Sequence, residues 1–116
     1  MEIKTAFGNG NAVYDDSMKI RTAVFIHEQK IDASIEQDEN ENRCLYYVGY
    51  IENKPVTTAR VIATKEGTLV QRVCTLKEYR QQDLSSQILV RLKKTLKATR
   101  WLRYGSLLKT TLKNSI

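Results

Sequence analysis

Two β-rich runs, Leu45-Tyr-Tyr-Val-Gly-Tyr-Ile51 and Val56-Thr-Thr-Ala-Arg-Val-Ile-Ala-Thr64, are separated only by Glu52-Asn53-Lys54-Pro55. So short a polar connection predicts an antiparallel hairpin. Glu66-Gly67 makes a further turn and residues 68–75 a further strand, which extends the hairpin into a meander. From Gln82 the apolar period lengthens. Leu84, Ile88, Leu89, Leu92 and Leu96 fall on one face of an α-helix, with Arg91, Lys93, Lys94 and Lys97 largely on the others. Upstream, residues 2–7 alternate as a first strand with Ile3, Thr5 and Phe7 on one side, and Gly8-Asn9-Gly10-Asn11 reads as a loop. Tyr14-Asp15-Asp16-Ser17 offers N-cap candidates for a helix whose apolar stripe is Ile20, Ala23, Val24 and His27 and which ends near Glu28-Gln29. Residues 32–42, with Glu36, Asp38, Glu39 and Glu41, read as an exposed acidic connection. The order strand, helix, three antiparallel strands, helix is that of an α+β fold, an antiparallel sheet with flanking helices.

With 116 residues the chain is one domain's worth, and its 41% hydrophobic and 28% charged residues argue against a disordered or disulfide-stapled protein. No apolar run approaches the length of a membrane span, and Met1-Glu2-Ile3-Lys4 lacks a secretory pattern, so the cytoplasm is the expected compartment. Cys44 and Cys74 have neither metal-ligand spacing nor an oxidising compartment, and are read as small core residues with no metal site. Tyr46, Tyr47 and Tyr50 are read as strand-face packing, and His27 as packed or solvated. The net charge of +6 is uneven: residues 1–75 carry nine Lys/Arg against eleven Asp/Glu, whereas residues 76–116 carry ten against two. Such a basic half suits an anionic partner, either a phosphorylated cofactor or nucleic acid, or a solvated helix face. Zinc spacing and an aromatic nucleic-acid signature are absent, which weighs against nucleic acid. A membrane-surface helix would need a longer basic stretch than residues 93–97.

The junction from residue 70 to residue 86 carries the chemistry. A strand runs into a turn, and the turn opens the basic helix, whose N-terminal N–H groups and positive dipole end suit a phosphate.

Arg21-x-x-Val24-Phe25-Ile26-x-Glu28-Gln29, then Glu36-x-Asp38, then Ala59-Arg60-Val61 resembles the GNAT superfamily of acetyl-CoA-dependent N-acyltransferases, in particular its small bacterial branch with a Val-Phe-x-x-Glu-Gln signature. Gln71-Arg72-Val73-Cys74-Thr75 and Leu76-Lys77-Glu78-Tyr79-Arg80 are similar to that family's fourth strand and its lead into the cofactor loop. The resemblance covers residues 17–98 and implies a GNAT-like fold, acetyl-CoA as cosubstrate and a small-molecule or peptide amine as acceptor. It implies that Val73, Cys74 and Thr75 line the pantetheine arm. The diphosphate would then sit in the loop Arg80-Gln81-Gln82-Asp83-Leu84-Ser85. Glu28, Glu36 and Asp38 resemble acceptor-side residues, one of which would orient or deprotonate the amine. Gln71 stands where several members place a glutamate base.

Two departures shape the expectations. Asp83 and Ser85 replace the loop's two glycines. Asp83 either caps the helix, its carboxylate taking the N–H groups a diphosphate would use, or turns outward and leaves Arg80 to hold the phosphates. On the capping reading, glycine at both positions tightens CoA binding and lowers the melting temperature. After about Ala98 the resemblance stops. Residues 99–116 are a basic tail, with Gly105-Ser106 a candidate start for a short last helix and Tyr104 misplaced for protonating a thiolate. A frameshift or truncation would account for it. The sheet is therefore expected to be incomplete at its C-terminal side, with an exposed edge suited to a homodimer or covered by the tail.

Overall fold

In a computed structural model of the chain, residues 1–65 and 67–98 are described. Four strands, β1 (Glu2–Phe7), β2 (Leu45–Ile51), β3 (Lys54–Thr64) and β4 (Gly67–Thr75), form one antiparallel sheet in the order β1-β2-β3-β4. Between β1 and β2 come α1 (Ala12–Arg21), a π-helical continuation over Thr22–Glu28, the single turn α2 (Ala33–Glu36) and a 3-10 turn at Glu41–Arg43. After β4, a 3-10 turn at Lys77–Tyr79 leads to α3 (Leu84–Ala98). The α+β expectation and its strands hold. The expectations for residues 99–116 lie outside the described residues.

Strand alternation sorts the core into two layers. Tyr47, Ala59, Val61, Val70 and Val73 face α3 and pack on Ile88 and Leu92. Val48, Tyr50 and Cys74 face the other way, where Ile20, Val24 and Phe25 of α1 and its continuation meet them, and Tyr46 and Ile62 pack with Cys44 against Val13 and Tyr14 of α1. Both cysteines are fully buried and unbridged, as read from sequence, and burial pushes the Cys74 thiol up to about 12.

The β2–β3 hairpin turns on Glu52 and Asn53 alone. Both have positive φ, 51° and 68°, the twist that lets a two-residue loop close a right-handed hairpin. The four-residue turn read from sequence is therefore shorter by two, and Pro55 sits within β3 beside a register shift, where its missing N–H is tolerated.

Two local expectations are corrected. The N-cap of α1 is Asn11, whose side chain accepts from the Tyr14 N–H at 2.8 Å, so the helix starts a turn before Tyr14-Asp15-Asp16-Ser17. The apolar stripe also does not continue to His27. Hydrogen bonds such as Gln29 N–H to Val24 O widen the turn after Arg21, which rotates Phe25 into the core and leaves His27 exposed.

Candidate functional site

β4 carries a bulge. Arg60 pairs with Gln71 and Thr58 with Cys74, so Ala59 opposes both Arg72 and Val73, and Arg72 takes φ 56°. The extra residue shifts the alternation, which is why Val70 and Val73, three apart, share a core face. On the far side of β4 no further strand is present among the described residues. The Leu76 N–H donates to Val56 O, so by antiparallel alternation the backbone groups of Thr75 point away from β3. The end of that open edge lies against the start of α3, with Thr75 Oγ1 2.7 Å from Ser85 Oγ. Val73, Cys74 and Thr75 thus lie together at the end of the bulged strand, although the Cys74 side chain is buried in the core.

Three hydroxyls tie this strand end to the helix. Thr75 Oγ1 lies 2.9 Å from Thr57 Oγ1 and 2.7 Å from Ser85 Oγ. Ser85 therefore turns its side chain back into the sheet, not toward the amides at the helix start.

Asp83 does not cap α3. Its φ is 57°, the left-handed conformation that a loop glycine serves, whereas an N-cap is extended. The side chain is exposed, and among the described residues no side-chain oxygen accepts from the N–H groups of Leu84, Ser85 or Ser86. Among the described residues those donors thus have no side-chain partner, the arrangement that accepts an anion at a helix start. Gln81 also has positive φ, 67°, and is exposed like Gln82. For position 83 alone the melting-temperature expectation reverses accordingly. Asp83→Gly relieves about 1–2 kcal/mol of left-handed strain and loses about 0.3–1 kcal/mol of charge–dipole attraction. A small gain in thermal stability is expected in a melting experiment. Because Asp83 is exposed, a water-like dielectric applies to its repulsion of a bound phosphate, about 1 kcal/mol at 4 Å, so the same variant should bind CoA about five-fold tighter.

Arg80 is engaged at every nitrogen. Its Nε donates to Thr75 O at 3.0 Å, and Nη1 and Nη2 donate to Glu28 Oε2 and Oε1 at 2.7 and 2.6 Å. The Arg80 hydrogen bonds hold the Glu28 carboxyl below its ordinary range.

The other two sequence-predicted carboxylates sit in a cluster that was not foreseen. Residues 32–42 are not simply an exposed connection, because Glu36 and Glu41 are buried under arginines from three elements. Arg21, fully buried at the end of α1, donates through Nε to Glu36 Oε2 at 2.6 Å and through Nη1 and Nη2 to Glu41 at 2.9 Å each. Arg60 of β3, also fully buried, forks onto Asp38 at 3.1 and 2.6 Å and donates to Gln71 Oε1 at 3.1 and 2.8 Å. Arg72, aimed by the bulge, reaches Glu36 Oε2 at 3.1 Å and its backbone oxygen at 3.0 Å. The Tyr46 hydroxyl adds a bond to Glu41 Oε1 at 2.7 Å. Burial pushes the Glu41 carboxyl up, but the hydrogen bonds from Arg21 and Tyr46 outweigh it, so it is held at about 2. The hydrogen bonds from Arg60 lower the Asp38 carboxyl more than burial raises it. Glu36 is thus a buried ion-pair partner, while Asp38 remains partly accessible. One sequence signal pointed here: Arg60 interrupts the otherwise uncharged run 56–64, and a charge in such a run requires a buried counter-charge.

Searched against models of known protein families, the sequence matches none. Over 84 residues, 70% of the chain, it is 36% identical to a Bacillus subtilis protein named "putative acetyltransferase", and over 85 residues, 71% of the chain, 34% identical to the uncharacterised Bacillus subtilis protein YyaT. Each match takes in 57% of the relative, so the chain spans a little over half the length of these relatives. Among solved structures, a "putative N-acetyltransferase" from Lactobacillus plantarum superposes with a TM-score of 0.76 at 28% identity, over 85% of this chain and 70% of that one.

Proposed function

The chain belongs to the GNAT superfamily of acyl-CoA N-acyltransferases, and from that premise we propose that it binds acetyl-CoA and serves the transfer of the acetyl group to an amine. The observation that carries this reading is the open edge of the bulged β4 leading into the uncapped start of α3. The pantetheine arm would lie along Val73, Cys74 and Thr75 and use outward backbone groups of the strand. The diphosphate would lie over Arg80, Gln81, Gln82, Asp83, Leu84 and Ser85. There the N–H groups at the helix start and the guanidinium of Arg80 would supply the donors. Asp83 supplies the left-handed bend in place of glycine, and the inward turn of Ser85 keeps its hydroxyl off the amides.

In the reaction the nitrogen lone pair of a neutral amine attacks the thioester carbonyl. The C–S bond breaks, the amine loses its proton, and the thiolate gains one. A direct base works best with a pKa near the working pH. Asp38 is held below the ordinary carboxylate range, so it suits attraction and orientation of a cationic acceptor more than removal of its proton, whereas Glu28 is paired with Arg80 at the cofactor loop. Gln71, bonded through its oxygen to Arg60, cannot serve as the base its position suggests. Asp38, partly exposed, is the proposed acceptor-side anchor, with Glu36 positioning the segment that carries it.

Calorimetric titration with acetyl-CoA tests the reading, with desulfo-CoA and ATP as controls. Saturable binding of acetyl-CoA and desulfo-CoA, without equal binding of ATP, is expected, because the pantetheine arm should supply part of the affinity. No binding at millimolar acetyl-CoA, by the native protein and by Glu28→Gln alike, overturns it.

A further inference from the structure

We propose that Glu28 is an internal occupant of the phosphate site, and that an incoming CoA diphosphate must take the Arg80 fork from it. The inference rests on the acyl-CoA reading above and adds to it a step internal to the protein. Glu28 ends the helical segment that follows α1, while Arg80 opens the loop before α3, 52 residues later. The two side chains meet in a fork-to-fork pair, with both Nη groups on both carboxylate oxygens at 2.7 and 2.6 Å. The same two parallel donors are what an arginine offers a phosphate, so carboxylate and phosphate compete for one geometry. The third nitrogen is fixed on Thr75 O, which holds the guanidinium at the end of the β4 edge and leaves it no second orientation without breaking that bond.

The pair is placed for exchange. Its side chains are 28% and 35% exposed, whereas the Arg21–Glu36 pair is at 0% and 1%. Water can solvate Glu28 as it leaves, so opening costs little, in contrast to the buried cluster, where a freed carboxylate would be stranded. Two elements on either side of the open strand edge are thereby joined in the free protein and separated by the ligand.

The test is calorimetric titration of the full chain with CoA, comparing the native protein with Glu28→Gln, Glu28→Ala and Arg80→Gln. An exposed ion pair of this kind is modest in strength, so removing the competitor should tighten CoA binding by about two- to five-fold in both Glu28 variants. Arg80→Gln should weaken it. Binding only in the Glu28 variants would support the proposal most strongly. Native binding with unchanged or weaker affinity in both Glu28 variants overturns the competition and leaves the acyl-CoA reading standing. No CoA binding by native protein and Glu28 variants alike, at millimolar ligand, overturns both.

Discussion

Arg21→Ala is expected to destabilise the fold by about 3–5 kcal/mol, the usual cost of removing one partner from a buried ion pair. Arg21 is fully buried, and its guanidinium donates to Glu36 Oε2, the Glu36 backbone oxygen and both Glu41 oxygens. Without it Glu41 keeps Arg60 and Tyr46, but among the described residues the Glu36 carboxylate keeps only the half-buried Arg72. Glu36 is badly placed to lose a donor, since its Oε1 is buried with no hydrogen-bond partner among the described residues. A loss of this size is a large share of the roughly 5–15 kcal/mol that holds a typical domain folded. Arg21→Lys should recover part of it, because an ammonium restores the charge without the planar fork. Urea unfolding of the three proteins measures the effect. A loss below about 1 kcal/mol for Arg21→Ala would show that water already reaches the cluster, since exposed pairs are worth no more than that.

The sheet was legible because its signals are local. Tight turns separate the strands, and alternation assigns Tyr46 and Tyr47 to opposite faces, where the structure has them. The α3 stripe was legible for the same reason, with Leu84, Ile88 and Leu92 all buried. The π-helical turn was not, because one widened turn rotates every later residue without altering composition, and the stripe was extended to His27 when Phe25 takes the core position. The acidic connection was misread for a non-local reason. Glu36 and Glu41 resemble solvated residues until Arg21, 15 positions before the one and 20 before the other, is seen to meet both.

On the proposed cofactor side, the loop resemblance pointed to a segment, yet the roles of its two departures depended on backbone angles. Capping was one of two readings of Asp83, because aspartate favours caps, but a φ of 57° removes that option and gives it the glycine's conformational task instead. Ser85 was read as a lost glycine, while its hydroxyl in fact joins Thr75 and the helix start. Both outcomes make the loop more compatible with a bound anion than composition alone implied, since neither side chain takes the helix-start N–H groups.

Lowering the pH from about 5 to 2 is expected to remove about 3 kcal/mol of stability through Glu41 alone. Its folded carboxyl is held at about 2 against an ordinary 4.5, and that difference corresponds to the stated energy. The sign follows from the depressed folded value. Above the unfolded pKa both states are ionised and the contribution is present in full. As the pH falls toward the folded value, the unfolded chain takes up the proton first and the contribution is lost. Asp38, lowered by its bonds from Arg60, acts in the same direction. The arginines offer no relief, because their protonation does not change in this range and their buried charges lose their counter-charges together. Denaturant unfolding between pH 7 and 2 measures the slope, with Glu41→Gln as the reference. The variant should be less stable at pH 7 and lose less on acidification. Equal slopes in the two proteins would place the acid sensitivity outside Glu41.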